Sequence, residues 1–285
     1  MMEKYYQFAG VELEVCIRKE QMYREERQMG PFRVESVQNP HRFTFETVEN
    51  LPKPEGSELV SDPSFRVYQQ KEGTVRFIGP VQTGWETAHI RAEHRGNQHI
   101  VHLKASQFPN GIGMKTVLSA IEAEHLVLLQ DGVIFHSSYI DIGGMAVVFT
   151  APSETGKSTQ AELWKQYRGA EIINGDRSAI RMIDGEIYAS GIPFSGSSHY
   201  CENRTLPLAA VVYLQQAPVT SIRQLQGAQA FRRIWEGCSV NTWDREDVQR
   251  ASSLVEQVVC QVSVYLLSCT PDESAVLALE RMLKE

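Results

Sequence analysis

The chain has 285 residues, with 28 lysines and arginines against 35 aspartates and glutamates, a formal net charge of −7. That length allows one large or two ordinary domains, each burying its own core, and two are expected here. The acidic balance argues against a general nucleic-acid or anionic-membrane surface. Five dispersed cysteines, Cys16, Cys201, Cys238, Cys260 and Cys269, lack C-x-x-C spacing and imply neither a disulfide framework nor a zinc module.

The first residues lack the apolar stretch of a signal peptide, and no apolar run approaches the ~20 residues that span a bilayer. The expected location is cytoplasmic. Up to about residue 108, β-branched and aromatic residues alternate with polar ones over Phe8 to Ile17, Arg42 to Val48, Phe65 to Gln69 and Thr74 to Ile78, predicting strands. Asn39-Pro40, Pro52 to Gly56, Glu72-Gly73 and Arg95-Gly96-Asn97 supply the turns. His89, His94, His99 and His102 gather around the last of these. Without accompanying cysteines or a carboxylate pattern, they are expected on a solvated sheet face rather than around a metal.

From Lys115 to Leu129 the apolar spacing predicts one helix, with Glu122 and Glu124 turned outward. Val133 to Ile142 and Met145 to Thr150 then read as a hairpin joined by Gly143-Gly144. The second strand runs into Ala151-Pro152-Ser153-Glu154-Thr155-Gly156-Lys157-Ser158-Thr159, and a helix follows from about Gln160 to Tyr167.

Strand, loop and helix in that order suit a triphosphate. Converging backbone N–H groups and the positive end of the helix meet the β-phosphate, Lys157 reaches the β- and γ-phosphates, and the Ser158 hydroxyl ligates Mg²⁺. Ser153, Glu154, Thr155, Gly156, Lys157, Ser158 and Thr159 are the predicted nucleotide-binding residues, for ATP with GTP as the alternative. Ala151 replaces the first glycine of the usual G-x-x-x-x-G-K-[ST] pattern, so it must use a backbone open to L-residues. Glu154 must turn its charge away from the phosphates. The competing reading is an ordinary strand-to-helix turn that contains Gly-Lys-Ser.

Ala170 to Asp176 reads as a short strand ending on an acid, suited to hold Mg²⁺ with Ser158 or to take a proton from an acceptor hydroxyl. Ser178 to Ile183 and Glu186 to Ala189 flank Asp184-Gly185, a hairpin signal. Gly191 to Arg204 is a long Gly/Ser-rich loop, a type that is often functional. Beyond it, a strand from Ala209 to Gln215, helices over Gln229 to Glu236 and Arg245 to Gln257, a strand from Val262 to Ser268 and a last helix from Ser274 to Leu283 are expected. Trp164, Trp235 and Trp243 lie in apolar patterns and are assigned to the core.

The stretch from His136 through Asp141, Gly143-Gly144 and Thr150 to Ala151 resembles the approach to the phosphate loop of HPr kinase/phosphorylase. There a histidine is followed five residues later by an aspartate, and fifteen residues after the histidine by the loop. The Thr155 to Thr159 segment also resembles ATP-dependent phosphoenolpyruvate carboxykinase, and Glu202-Asn203-Arg204 is faintly similar to an arginine-bearing segment there. The resemblance covers roughly residues 115 to 215.

It implies an α/β (α+β) fold, an HPr-kinase/phosphoenolpyruvate-carboxykinase-like P-loop core. Residues 111–285 would form this kinase-like domain, after a β-rich N-terminal domain over 1–110. It further implies an ATP-dependent kinase acting on a serine-like hydroxyl of a protein, peptide or small molecule, in a homo-oligomer. Asp176, His136, Asp141 and Arg204 become the catalytic candidates, with Arg177 as another cationic clamp and Ser158 and Asp176 as the metal ligands. The family pairs two aspartates where this chain has Gly175-Asp176-Arg177. Either Asp176 serves both roles with help from Asp141 or His136, or the chain binds nucleotide without transferring phosphate. A carboxykinase-like lyase ranks last, because no second-metal His and Lys constellation is visible.

Overall fold

The computed structural model describes residues 2–18, 23–24, 27–194, 196 and 199–284. The chain divides into two compact units, Met1–Leu126 and Val127–Glu285. Among the described residues no helix is long and apolar enough to cross a membrane.

The first unit is built on strands β1 (Met2–Phe8), β2 (Val11–Ile17), β3 (Tyr23–Arg24), β4 (Arg33–Val34), β5 (His41–Val48), β6 (Glu58–Ser61), β7 (Phe65–Gln69), β8 (Thr74–Ile78), β9 (Ile90–Arg95), β10 (Gln98–Lys104) and β11 (Ile112–Gly113). Nine of them form one sheet in the order β4-β1-β2-β5-β10-β9-β8-β7-β6. Period-two alternation aims Phe43 and Phe45 of β5 and Val101 and Leu103 of β10 at a buried face. The strand expected from Phe8 to Ile17 is instead the second arm of a hairpin. Ala9 and Gly10 both take positive φ, 47° and 80°, and reverse the chain there.

Two further sequence expectations fail in this unit. The helix expected over Lys115 to Leu129 is two short ones, α1 (Met114–Ala120) and α2 (Ala123–Leu128), separated where Glu122 adopts φ 48°. Glu122 does not face outward. It is buried and paired with Arg76 at 3.2 Å. Of the four histidines placed on a solvated face, His94 and His99 are packed inward, whereas His89 and His102 are half-buried. His99 is 4% exposed, stacked on Phe43, with its Nε2 3.1 Å from His41 Nδ1 and its Nδ1 3.1 Å from His94 Nδ1.

The second unit is a mixed α/β structure: β12 (Gly132–Asp141), β13 (Ala146–Thr150), α3 (Lys157–Arg168), β14 (Glu171–Asn174), β15 (Arg177–Ile183), β16 (Glu186–Gly191), β17 (Thr205–Gln216), β18 (Ser221–Leu225), α4 (Gly227–Trp235), β19 (Cys238–Ser239), α5 (Arg245–Gln261), β20 (Ser263–Cys269) and α6 (Glu273–Lys284). Its centre is parallel: β13 pairs with β17, and β17 with β20. Alternate residues face opposite helix pairs. Val148, Val211 and Val264 join a core with Ile234 of α4 and Val255 of α5. Val147, Phe149, Val212 and Leu267 join another with Trp164 of α3 and Leu279 of α6. Burying each such side chain contributes roughly 1.5–3 kcal/mol before the entropy of ordering it. Of the tryptophans assigned to the core, Trp164 is fully buried, whereas Trp235 and Trp243 are half-buried.

Strand β12 changes partners along its length. Gly132 to His136 pair with β15, and Ser137 to Asp141 pair with β13. His136 is therefore the last residue beside Arg177, and Ser137 the first beside Thr150. That crossing point brings the end of β13 next to the start of β15.

Candidate functional site

Beyond Thr150 the chain turns through Ala151–Gly156 into α3. Ala151 keeps a backbone conformation ordinary for an L-residue. The left-handed positions are Glu154, at φ 64°, and Gly156, at φ 117°, which is the N-cap of α3. Glycine accepts such a φ without strain, whereas glutamate does so at a cost of about 1–2 kcal/mol. The Glu154 side chain is exposed.

Lys157 opens the helix and folds back into the loop. It is 7% exposed, and its Nζ donates to the Ala151 carbonyl at 3.0 Å and the Pro152 carbonyl at 3.3 Å. It forms no ion pair among the described residues. Burial holds its ammonium below the usual lysine range, and the charge of Asp176 partly opposes that shift. A buried ammonium satisfied only by main-chain carbonyls favours an approaching anion.

Ser158 donates its hydroxyl to the Gly175 carbonyl at 3.1 Å, and Ser138 donates to the same oxygen at 3.1 Å. Gly175 precedes Asp176, so the Ser158 hydroxyl reaches the residue next to Asp176 in the chain. The hydroxyl and the Asp176 carboxylate are hard oxygen donors of the kind Mg²⁺ takes. Asp176 lies 3.5 Å from His136 Nε2 and 3.7 Å from Arg177 Nε. The His136 hydrogen bond is the main cause holding its carboxyl below the usual range, against burial, with the charges of His136, Arg177 and Lys157 adding to it. His136 is fixed by its backbone, whose N–H donates to the Gly237 carbonyl at 2.8 Å and whose carbonyl accepts from the Thr150 hydroxyl at 3.0 Å.

Asp141 and Arg204 are not brought to this point, which corrects their expected catalytic placement. Asp141 pairs with Ala146 at the opposite end of the β12–β13 ladder, five residues from His136 and so about 16 Å away along an extended strand. Its carboxylate accepts from the Gly144 N–H at 2.7 Å, closing the turn, and from Arg204 Nη1 at 2.9 Å. Arg204 also donates to Glu171 at 2.7 Å. Both side chains hold the hairpin end of the sheet.

Several residues of the site carry no motif. Asn174 is fully buried. Its Nδ2 donates to the carbonyls of Ile192 at 2.9 Å and Phe194 at 3.2 Å, and its Oδ1 accepts from the Ile192 N–H at 3.2 Å. It thereby ties down the base of the Gly191–Arg204 loop, of which Ser195, Ser197 and Ser198 lie outside the described residues. A Cβ built on Gly196 would sit 3.0 Å from the Asp176 side chain, so the backbone of Gly196 lies close against that side chain. Gly237 allows a similar approach, since a Cβ there would lie 2.5 Å from the Phe135 ring and 2.8 Å from the Thr150 hydroxyl. The Asn-Gly-Asp run and the glycine after a helix were the available sequence signals.

On the other side of the loop, a cavity of about 630 Å³ opens between Thr155, Gly156 and Thr159 and the C-terminal ends of β17 and β20. Ligands in α/β sheets commonly bind outside the carboxyl ends of parallel strands. Gln216 braces this side, its Nε2 donating to the Thr155 carbonyl at 3.4 Å.

No family model matches the chain, and no curated protein matches it. Among the solved structures, one weakly similar to it can be described. It is the Hpr(Ser) kinase/phosphatase from Coxiella burnetii, with a TM-score of 0.33 and 11% identity, over 53% of this chain and 97% of that one. A likeness so slight carries no argument about this chain's activity.

Proposed function

We propose that the chain is an ATP-dependent kinase that transfers the γ-phosphoryl group to a hydroxyl of a protein, peptide or small molecule. The observation that carries this reading is Lys157: a buried ammonium without an ion-pair partner among the described residues, at the start of a helix and beside a carboxylate. The triphosphate would lie along Ser153–Thr159, its β-phosphate receiving loop N–H groups and its γ-phosphate receiving Lys157 in exchange for the Ala151 and Pro152 carbonyls.

The residues present fit a magnesium ion: Ser158 and Asp176 would hold it, and it would offset the negative charge of the phosphates. In the transfer, the acceptor oxygen bonds to the γ-phosphorus while the bond to the β,γ-bridging oxygen breaks and leaves ADP. The acceptor proton passes to Asp176, with His136 Nε2 hydrogen-bonded behind it. Arg177 lies beside the same carboxylate and would add a second cation, after Lys157, for the transferring group. Gly196, close against the Asp176 side chain, would border the position of the acceptor. Phosphoryl transfer asks mainly for positioning and charge neutralisation, which this arrangement supplies.

A second reading, a nucleotide-responsive module without catalysis, draws support from the single acid at the strand end and the strained Glu154 in the loop. Single-turnover incubation with γ-labelled MgATP and candidate hydroxyl acceptors separates the two. A kinase yields labelled acceptor, and a binder returns only unchanged ATP.

A further inference from the structure

The wall of the cavity beside the Ala151–Gly156 loop contains an amide with one half unused. Gln160 lies in the first turn of α3 and is 3% exposed. Its Nε2 donates to the Cys269 sulfur at 3.3 Å, whereas its Oε1 has no hydrogen-bond partner among the described residues. Buried acceptors are rarely left unmet, because desolvation without a donor is costly. Gln160 and Cys269 both line the 630 Å³ cavity.

We propose that this cavity takes the adenine ring of the bound triphosphate, and that Gln160 Oε1 accepts a hydrogen bond from the exocyclic amine of that ring. The inference rests on the phosphate-loop reading and adds the base to it. Thr155 and Gly156 border the cavity, so a nucleoside extending from phosphates held by the loop enters it directly. Its volume falls in the range of small-molecule sites, and Leu214, Pro218 and Pro271 supply apolar surface for the ring faces.

The polar edge sets the choice of base. Adenine presents an N–H donor where guanine and hypoxanthine present a carbonyl, which would bring two acceptors face to face at Oε1. A site built around one such hydrogen bond discriminates against the analogue that lacks the donor. Among the described lining residues Glu154 is the sole carboxylate, and its side chain is exposed. No buried acid is therefore offered to the N1–H and amino group of guanine. The terminal torsion of glutamine is soft, so a small rotation presents the oxygen now covered by the wall.

Calorimetry on the full chain, with the magnesium complexes of tripolyphosphate, ATP and ITP, tests this. ATP is expected to bind at least about tenfold more tightly than tripolyphosphate, and about five- to tenfold more tightly than ITP, the effect of one net hydrogen bond. Gln160→Met removes the oxygen at similar volume and should close the gap between ATP and ITP. Should that variant misfold, the ATP and ITP comparison on the unaltered chain still decides. Equal affinity for ATP and tripolyphosphate would overturn the base site while leaving the phosphate loop standing. Equal affinity for ATP and ITP would remove Gln160 from it. Silence from all three ligands would overturn the inference and the phosphate-loop reading together, whereas ATP binding without tripolyphosphate binding would keep the cavity and displace the loop as anchor.

Discussion

His136 Nε2 and the Asp176 carboxylate face each other at 3.5 Å where β12 passes from β15 to β13. The pair stands one residue beyond the Gly175 carbonyl to which Ser158 donates. A histidine beside an acid keeps the acid ionised and oriented, at some cost in basicity.

Lys157 and Asp176 should therefore separate binding from chemistry. Lys157→Met is expected to weaken MgATP binding by about 10- to 100-fold, the magnitude of charge-assisted hydrogen bonds lost from a buried cation. Asp176→Asn should bind ATP within a few-fold of the parent but lose transfer by about 10²–10⁴-fold. Calorimetry and single-turnover rates measure the two effects, and parental behaviour in both variants would discard the site.

Glu154→Gly should stabilise the protein. The substitution relieves about 1–2 kcal/mol of left-handed strain and returns about 0.5–1 kcal/mol of it as lost chain entropy, a net gain of about 0.5–1 kcal/mol. A urea midpoint that moves down instead would mean that Glu154 makes a compensating interaction in the loop.

Asn174→Ala removes three hydrogen bonds that hold Ile192 and Phe194 and leaves buried main-chain groups unpaired. A loss of about 2–4 kcal/mol is expected, with faster proteolytic cleavage between residues 191 and 204. Unchanged cleavage there would show that the loop is anchored elsewhere.

The histidine cluster makes the first unit acid-sensitive. Burial first, then the neighbouring His94 and His41, push the His99 imidazole down to about 2 from the 6.5 of an unfolded chain. Below pH 6.5 the unfolded state binds a proton that the folded state refuses. Stability therefore rises with pH across this window and is lost as pH falls from about 6.5 toward 2, at up to about 1.4 kcal/mol per pH unit. Hydrogen exchange of β5, β9 and β10 amides at pH 4 and 6.5 reads this directly. In His99→Phe the difference should shrink, and an identical pH response would assign the effect to other groups.

The strand, loop and helix around Ala151–Gly156 were legible because apolar alternation, two glycine turns and a helical period all point the same way there. The hairpins at Gly143-Gly144 and Asp184-Gly185 were legible for the same local reason. The turn at Ala9-Gly10 was not, since alanine rarely takes positive φ and the alternation runs straight through it. Glu122 reads as a surface position by helical spacing, but pairing with Arg76 compensates its burial. Spacing along one strand fixed neither the direction nor the partner of Asp141. Residues five apart sit at opposite ends of a short ladder, so His136 reaches Asp176 while Asp141 meets Arg204. Asn174 was invisible as an anchor because its partners are main-chain groups eighteen and twenty residues away.

The carbonyl of Gly175 receives two hydroxyls, one from Ser138 in the sheet and one from Ser158 on the helix. Both lone pairs of that oxygen are thereby engaged. If Ser158 swings toward a cation, the strand end still keeps the bond from Ser138 and exposes no bare acceptor. The helix residue is thus a removable donor and the sheet residue a permanent one, a division of labour under which Ser158 could turn to another partner without unsettling the strand that carries Asp176.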